Sequence, residues 1–197
     1  MHSSGGGNEM NKEQKITNAS TQQKSTVKMA KMAMLVAIAL ILVNFHFPIF
    51  APVAFLEYDP ADIPILIGTF TFGPAAGLLI TVVTAVLQGL TVSAHSGLYG
   101  ILMHIIATGV YVVVAGMIYK AKKSKSGAVL ALVCGTVAMT LVMVPANLFI
   151  TPFFMGVPRA GVVAVLPFIV AFNAIKAGVN GLITFFVYKR VSAFLHR

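Results

Sequence analysis

The sequence predicts an all-α integral membrane protein: a six-transmembrane-helix bundle with N- and C-termini in the cytoplasm. Three observations carry the prediction. First, 58% of the 197 residues are apolar and 10% are charged, where soluble domains carry roughly 25% charged residues. Second, no Asp, Glu, Lys or Arg occurs from Ile63 to Tyr119 or from Ser126 to Pro158. Continuous apolar runs of that length read as membrane helices, and they lack the alternation of a membrane β-barrel. Third, the basic residues cluster beside the apolar runs: Lys24, Lys28 and Lys31; Lys120, Lys122, Lys123 and Lys125; Lys189, Arg190 and Arg197. That distribution follows the positive-inside rule.

The net charge of +9 therefore reads as topology, not as a nucleic-acid surface. No aromatic residues interleave with the basic ones to stack bases, so no nucleic-acid partner is expected. The partner that the composition implies is the lipid bilayer, in a multi-pass arrangement. A single Cys134 excludes an intramolecular disulfide and reads as a small core residue. Residues 1–26 are polar and form a leader expected to be disordered. Within it MHSSGGG reads as artificial, which puts a native start at Met10. No secretory signal peptide is expected. Residues 27–197 form a single membrane domain.

The first span is expected at about Met29–Phe45, with Lys24, Lys28 and Lys31 holding its start inside. The segment after it carries Pro48, Pro52 and Pro60 and the acids Glu57, Asp59 and Asp62, with no Lys or Arg, so it belongs outside. Lys120–Lys125 belongs inside again, which requires an odd number of crossings between. The 57 residues of Ile63–Tyr119 fit three crossings at about 20 residues each. Gly73-Pro74 marks one break, since proline cannot continue the helical hydrogen-bond ladder. Ser93–Gly97 marks the other. The spans become about Asp62–Phe72, Ala75–Val92 and Leu98–Tyr119. Gly127–Leu148 is a fifth span, Phe149–Arg159 an outer connection, and Val162–Tyr188 the sixth span.

Lys176, in that sixth span, is the chemically informative residue. A lysine at mid-membrane depth costs roughly 2.5–3.5 kcal/mol on insertion scales and faces a cavity or a partner. The chain has five acids, Glu9, Glu13, Glu57, Asp59 and Asp62. An internal acidic partner must come from Glu57–Asp62; otherwise the partner is a bound molecule, a carbonyl, an amide or water. Asn173, Lys176 and Asn180 share one helix face. A polar stripe with a cation fits a site for a polar solute; the other reading is a satisfied interhelical network, which Asn180 favours and Lys176 does not. Asn147, beside Pro145, is open between the two.

Several other residues admit two readings. Ala30, Ala33 and Ala37 lie on one face of the first helix, where small residues let helices approach, either inside the bundle or against a partner. Phe45, Phe47, Phe50, Phe55 and Tyr58 crowd the segment at about 46–60. They make it either a lid over the bundle's outer end or an interfacial anchor. Asp59 or Asp62 can be explained as an acid at a helix start. Gln88 and Thr84 can line a cavity or cross-link helices. His104 and His95 have no ligand-spaced Cys, Asp or Glu, so no metal site is expected, and His104 reads as a core residue.

No HExxH, Walker loop or GxSxG is present, and no carboxylate follows Asp62, so catalysis is not expected. A solute moved uphill would need energy from another subunit.

Three stretches resemble the substrate-binding S components of energy-coupling factor (ECF) vitamin transporters, most of all the riboflavin-specific type. They are FLEYDPADIPILIGTFTFGPAAGLL (Phe55–Leu79), ANLFITPFFMGVPR (Ala146–Arg159) and PFIVAFNAIKAGVNGLITFFVYK (Pro167–Lys189). The last carries an Asn-x-x-Lys pattern similar to that of the riboflavin members. The resemblance implies a six-helix bundle capped by its first outer loop, in a bacterial cell membrane. It implies capture of riboflavin without catalysis and with no cofactor of the chain's own. It implies delivery with an ECF module, a transmembrane T subunit and two subunits that use ATP. By the same likeness Lys176 and Asn147 would hydrogen-bond the polar edge of the isoalloxazine ring, with Asn173 in support. Leu56, Glu57 and Tyr58 would approach from the loop, and Ala33 and Ala37 would contact the T subunit. The partner then expected for Lys176 is the vitamin's carbonyl edge in place of an internal carboxylate. Where family members often carry Phe-Ser-Asp, this chain has Asp59-Pro60-Ala61-Asp62, which implies a stiffer loop. The alternatives are an S component for pantothenate or a pyrimidine precursor, and a structural membrane subunit that binds nothing.

Overall fold

A computed structural model describes residues 6–195, which form six α-helices in chain order. They are α1 (Gly6–Val43), α2 (Asp62–Phe72), α3 (Pro74–Leu90), α4 (Gly97–Ala121), α5 (Lys125–Met155) and α6 (Arg159–Leu195). Apolar stretches long enough to cross a membrane occur in α1 (Thr21–Val43), α4, α5 and α6, while α2 and α3 are shorter apolar helices. Of the polar leader, residues 1–5 lie outside the described residues and the rest is the polar beginning of α1. Arg197 also lies outside them, as does the side chain of His95.

The turn chemistry explains where the helices stop. α2 ends at Gly73, whose φ of 94° is open to glycine and strained for other residues. Pro74 then opens α3 at its first position, where the missing N–H costs no helical bond. Ser124 caps α5 by accepting a hydrogen bond from the Gly127 N–H at 3.0 Å. Gly156, in the left-handed conformation with φ 64°, closes it.

α1 and α6 run beyond the spans read from sequence, to Gly6 and Leu195, and α5 continues to Met155 through Pro145 and Pro152. The sequence reading ended this span at Leu148, taking proline as a breaker. Within a bundle, neighbouring groups satisfy the backbone that a proline frees. The Thr151 hydroxyl donates to Asn147 Oδ1 at 3.0 Å and shares a 2.8 Å hydrogen bond with the Tyr99 hydroxyl. That ties the last turns of α5 to α4.

α4 packs between α3 and α5, α5 packs on α6, and α2 touches α1, α3, α4 and α6. Fully buried Tyr111 of α4 lies at the centre of the α4–α5–α6 contact. Its hydroxyl donates to the Ala177 carbonyl at 3.2 Å, and a Cβ placed on Gly135 would collide with its ring. Small residues are what permit such close helix approach in a bilayer. Outward-facing Leu79, Leu130, Leu141, Leu182 and Phe186 are exposed, as lipid contact requires. α1 sits at the edge, on α2 and α3. Ala30, Ala33 and Ala37 are exposed on it, so they do not pack inside this bundle.

Between α1 and α2 the chain folds back as a small hairpin, β1 (Phe47–Pro48) paired antiparallel with β2 (Glu57–Tyr58) around a 3-10 turn at Ala51–Val53. Val53 is fully buried against Val162 and Ile169 of α6. The Phe50 ring lies 5.9 Å from that of Phe168. Phe45 and Phe47 stay exposed. The apolar loop thus divides its aromatic residues, some packed on α6 and some facing out.

Candidate functional site

A cavity of about 130 Å³ lies among the loop and helices α3 to α6. Its apolar wall includes Met103 from α4, Met139 and Met143 from α5, and Phe172 from α6. Its polar groups include Glu57, Asp59, Gln88, His104, Asn173 and Lys176. The three-residue spacing of Asn173 and Lys176 puts both on the face of α6 that looks into it.

Lys176 is 91% buried as a residue, being 9% exposed, and its ammonium donates to Asp59 Oδ2 at 2.6 Å. Its partner in this structure is thus Asp59, from the segment Glu57–Asp62 to which the sequence confined any internal acid. The physical reason lies in the loop, which carries Asp59 down to the bundle. Three further contacts hold it there. Asp59 Oδ1 accepts from the Ala61 N–H at 3.0 Å, the turn an aspartate favours before a helix. Its backbone carbonyl accepts from Asn180 Nδ2 at 3.1 Å. Tyr58, one residue earlier, donates to Asn180 Oδ1 at 2.9 Å. Burial alone would raise the Asp59 carboxyl, but the Lys176 charge and its hydrogen bond outweigh it and hold the group below its ordinary 3.8. The Tyr58 hydroxyl is pushed up, first by burial and then by the neighbouring Asp59.

Asp62, fully buried in the first turn of α2, is satisfied by side chains. It accepts from the Thr108 hydroxyl at 2.7 Å and from Asn180 Nδ2 at 3.1 Å. Asn180 is thus the hub that fastens the loop and α2 to α6, matching the network reading. Asp59 serves as a turn former and as the lysine's counter-ion together.

The structure brings four of the six expected binding residues to the cavity: Leu56, Glu57, Asn173 and Lys176. Tyr58 lies behind it, on Asn180. Asn147 is buried in α5, donating to the Met143 carbonyl at 2.8 Å and accepting from Thr151. Gln88 lines the cavity, donating to Ser93 Oγ at 3.3 Å. His104, read from sequence as core, is buried with its side chain 9% exposed and also lines the cavity. The missing signal was spatial: its acidic neighbour Asp62, with Nε2–Oδ1 3.9 Å, lies 42 positions away in the chain.

A lipid-facing helical bundle with a polar-and-apolar cavity walled by a folded-back loop is the architecture of a membrane protein that binds a small solute. Residues 27–188 match the family of ECF transporter substrate-specific components, and the chain belongs to that family, whose members are transport components and not enzymes. It is 30% identical over 178 residues to the riboflavin transporter RibU of Staphylococcus aureus (strain TCH60), covering 86% of this chain and 93% of that one. It is 29% identical over 117 residues to the riboflavin transporter FmnP of Bacillus subtilis (strain 168), covering 59% of this chain and 62% of the relative. Its fold is similar to a solved S component of a bacterial ECF transporter, with a TM-score of 0.76 and 31% identity over 88% of this chain and 99% of that structure.

Proposed function

We propose that this chain is a riboflavin-binding S component, which captures the vitamin outside a bacterial cell and delivers it with an ECF module. The observation that carries the reading is the cavity's composition. An apolar wall of Met103, Met139, Met143 and Phe172 suits a flat tricyclic ring, and Lys176 with Asn173 supplies polar contacts at one end. Glu57 and Asp59 line the same cavity, so an anionic vitamin such as pantothenate would meet two carboxylates. Relatives named riboflavin transporters support the same ligand.

In this reading Lys176, Asn173, Leu56 and Glu57 contact the vitamin. Tyr58 and Asn147 hold the surrounding frame, through Asn180 and Thr151. The cavity, at about 130 Å³, is below the roughly 300–1,000 Å³ of ligand sites. Entry of riboflavin then requires the capping loop at about 46–60 to move away from α6. All six helices are assigned as membrane crossings, with both termini cytoplasmic and the loop outside. The exposed face of Ala33 and Ala37 docks the transmembrane T subunit, and ATP is used by two partner subunits.

The deciding experiment is purification from cells supplied with riboflavin. A yellow protein that quenches flavin fluorescence on titration is the expected result. A colourless preparation that quenches nothing rejects the riboflavin reading. Binding of a pyrimidine precursor or pantothenate in its place would assign another vitamin, and no ligand at all would leave a structural subunit.

A further inference from the structure

His104, like Gln88, is a buried polar group of the cavity that the proposed function leaves unused. Its side chain is 9% exposed. Its Nε2 is buried and has no hydrogen-bond partner among the described residues. Asp62 Oδ1 lies 3.9 Å from it, beyond hydrogen-bond reach, and Asp62 already accepts from Thr108 and Asn180. A buried polar atom left unpaired is costly and uncommon in native proteins. An unpaired ring nitrogen that faces a cavity therefore points to something placed in that cavity.

The neighbouring groups narrow what that is. Thr108 and Asn173 also line the cavity, but Thr108 donates to Asp62 and Asn173 donates to the Ile169 carbonyl at 2.8 Å. Asn173 keeps a second N–H and its carbonyl, and Glu57 and Gln88 line the cavity as well. The buried ion pair of Lys176 and Asp59 is the charged set that lines it together with His104. An ammonium only donates, a carboxylate only accepts, and an imidazole in its Nε2–H tautomer donates. The set is donor, acceptor, donor. Its complement is a flat edge bearing carbonyl, N–H and carbonyl, the edge of a cyclic imide.

We propose that His104 is a ligand-binding residue of this site, donating from Nε2 to one carbonyl of a cyclic imide edge while Lys176 donates to the other and Asp59 accepts from the N–H between them. The assignment rests on the riboflavin reading, because the flavin ring carries such an edge. It gives Asp59 a role in both arrangements: counter-ion to Lys176 when the two are in contact, and acceptor for the ligand's N–H when the ring lies between them. It also gives the site a reason to prefer a neutral imide over rings that lack the N–H, since the carboxylate would then face a carbonyl or an alkyl group.

The test titrates the purified full chain with riboflavin and with lumiflavin, which keeps the ring and replaces the hydroxylated chain by a methyl group. Fluorescence quenching reads the binding. His104→Phe is expected to weaken both ligands by about tenfold or more, the effect of losing one buried hydrogen bond. His104→Gln, which keeps a donor, is expected to stay within about threefold of the parent. Unchanged binding of both ligands to His104→Phe overturns the proposal. So does a loss confined to riboflavin, which would place His104 on the hydroxylated chain. Should His104→Phe fail to fold, N3-methylated riboflavin decides on the unaltered chain. It must bind at least about tenfold more weakly than riboflavin, and equal binding overturns the arrangement. Failure of the unaltered chain to bind riboflavin at all is a separate result, which rejects the riboflavin reading before any variant is made.

Discussion

At the scale of single residues, the buried pair Lys176–Asp59 governs what a substitution does. Removing one partner of a buried ion pair leaves the other charge uncompensated, at a cost of about 3–5 kcal/mol. Lys176→Met therefore destabilises the bundle, in addition to losing any ligand contact, because Asp59 stays buried at 4% exposure. The double variant Lys176→Met/Asp59→Asn is expected to recover most of that stability and still bind no flavin. Thermal unfolding in detergent checks it, and a double variant no more stable than Lys176→Met would contradict the pairing. The pair also has a pH signature. Asp59 is held below its ordinary carboxyl value in the folded protein, so its contribution is fully present above the unfolded value and is lost as pH falls through the folded one. The stability gap between the parent and Asp59→Asn should be constant near neutrality and close as pH falls below about 4; a gap that stays open well below about pH 4 would refute the assignment. Much of this pair was readable in advance. The census of five acids confined any internal partner to Glu57–Asp62. It could not choose among them, because the choice depends on how the loop folds. His104 is buried, as a core reading requires, but its place beside the cavity could not be read from sequence for the same reason: Asp62 and the other cavity residues around it are distant in the chain.

At the scale of elements, α1 presents the clearest division of labour. Leu35, Val36, Ala39 and Val43 are buried, while Ala30, Ala33 and Ala37 face outward. Periodicity of small residues could not separate packing within the bundle from docking outside it, since both need close helix approach. Only the packed neighbours of α1 separate them. If the outward face docks the T subunit, Ala33→Leu/Ala37→Leu should leave flavin binding within about twofold, since exposed substitutions away from a site change free energy by roughly 0.5 kcal/mol or less. Uptake by the assembled transporter should fall sharply. Normal uptake by this variant would remove the docking role. Helix boundaries were legible where a residue type has one backbone use: Gly73 with positive φ followed by Pro74 ends α2 at Phe72, where the sequence placed it. They were not legible around Pro152, because a proline ends a helix in water more reliably than it does inside a bundle.

At the scale of the whole molecule, charge and cavity lie at opposite ends. Glu57, Asp59 and Asp62 belong to the loop and the start of α2 beside the cavity. Lys120 and Lys123 stand at the far end of the α2–α3 turn, around Gly73 and Pro74. Lys31 donates to the Leu195 carbonyl, joining the first helix to the last at that same basic end, and Lys28 sits 6.0 Å over the Phe72 ring. Loops rich in Lys and Arg stay on the cytoplasmic side, so the cavity end should face outward, where a vitamin arrives. Two short helices, α2 and α3, must then complete the crossings between the loop and Lys120. Single-cysteine reporters in a Cys134→Ala background test that arrangement. Gly156→Cys, in the α5–α6 turn, should react with a membrane-impermeant thiol reagent added to intact cells. Lys123→Cys, in the α4–α5 turn, should react only after the membrane is opened. Labelling of both from outside would break the six-crossing topology. Labelling of Lys123→Cys alone would invert it and place the cavity on the wrong side for uptake.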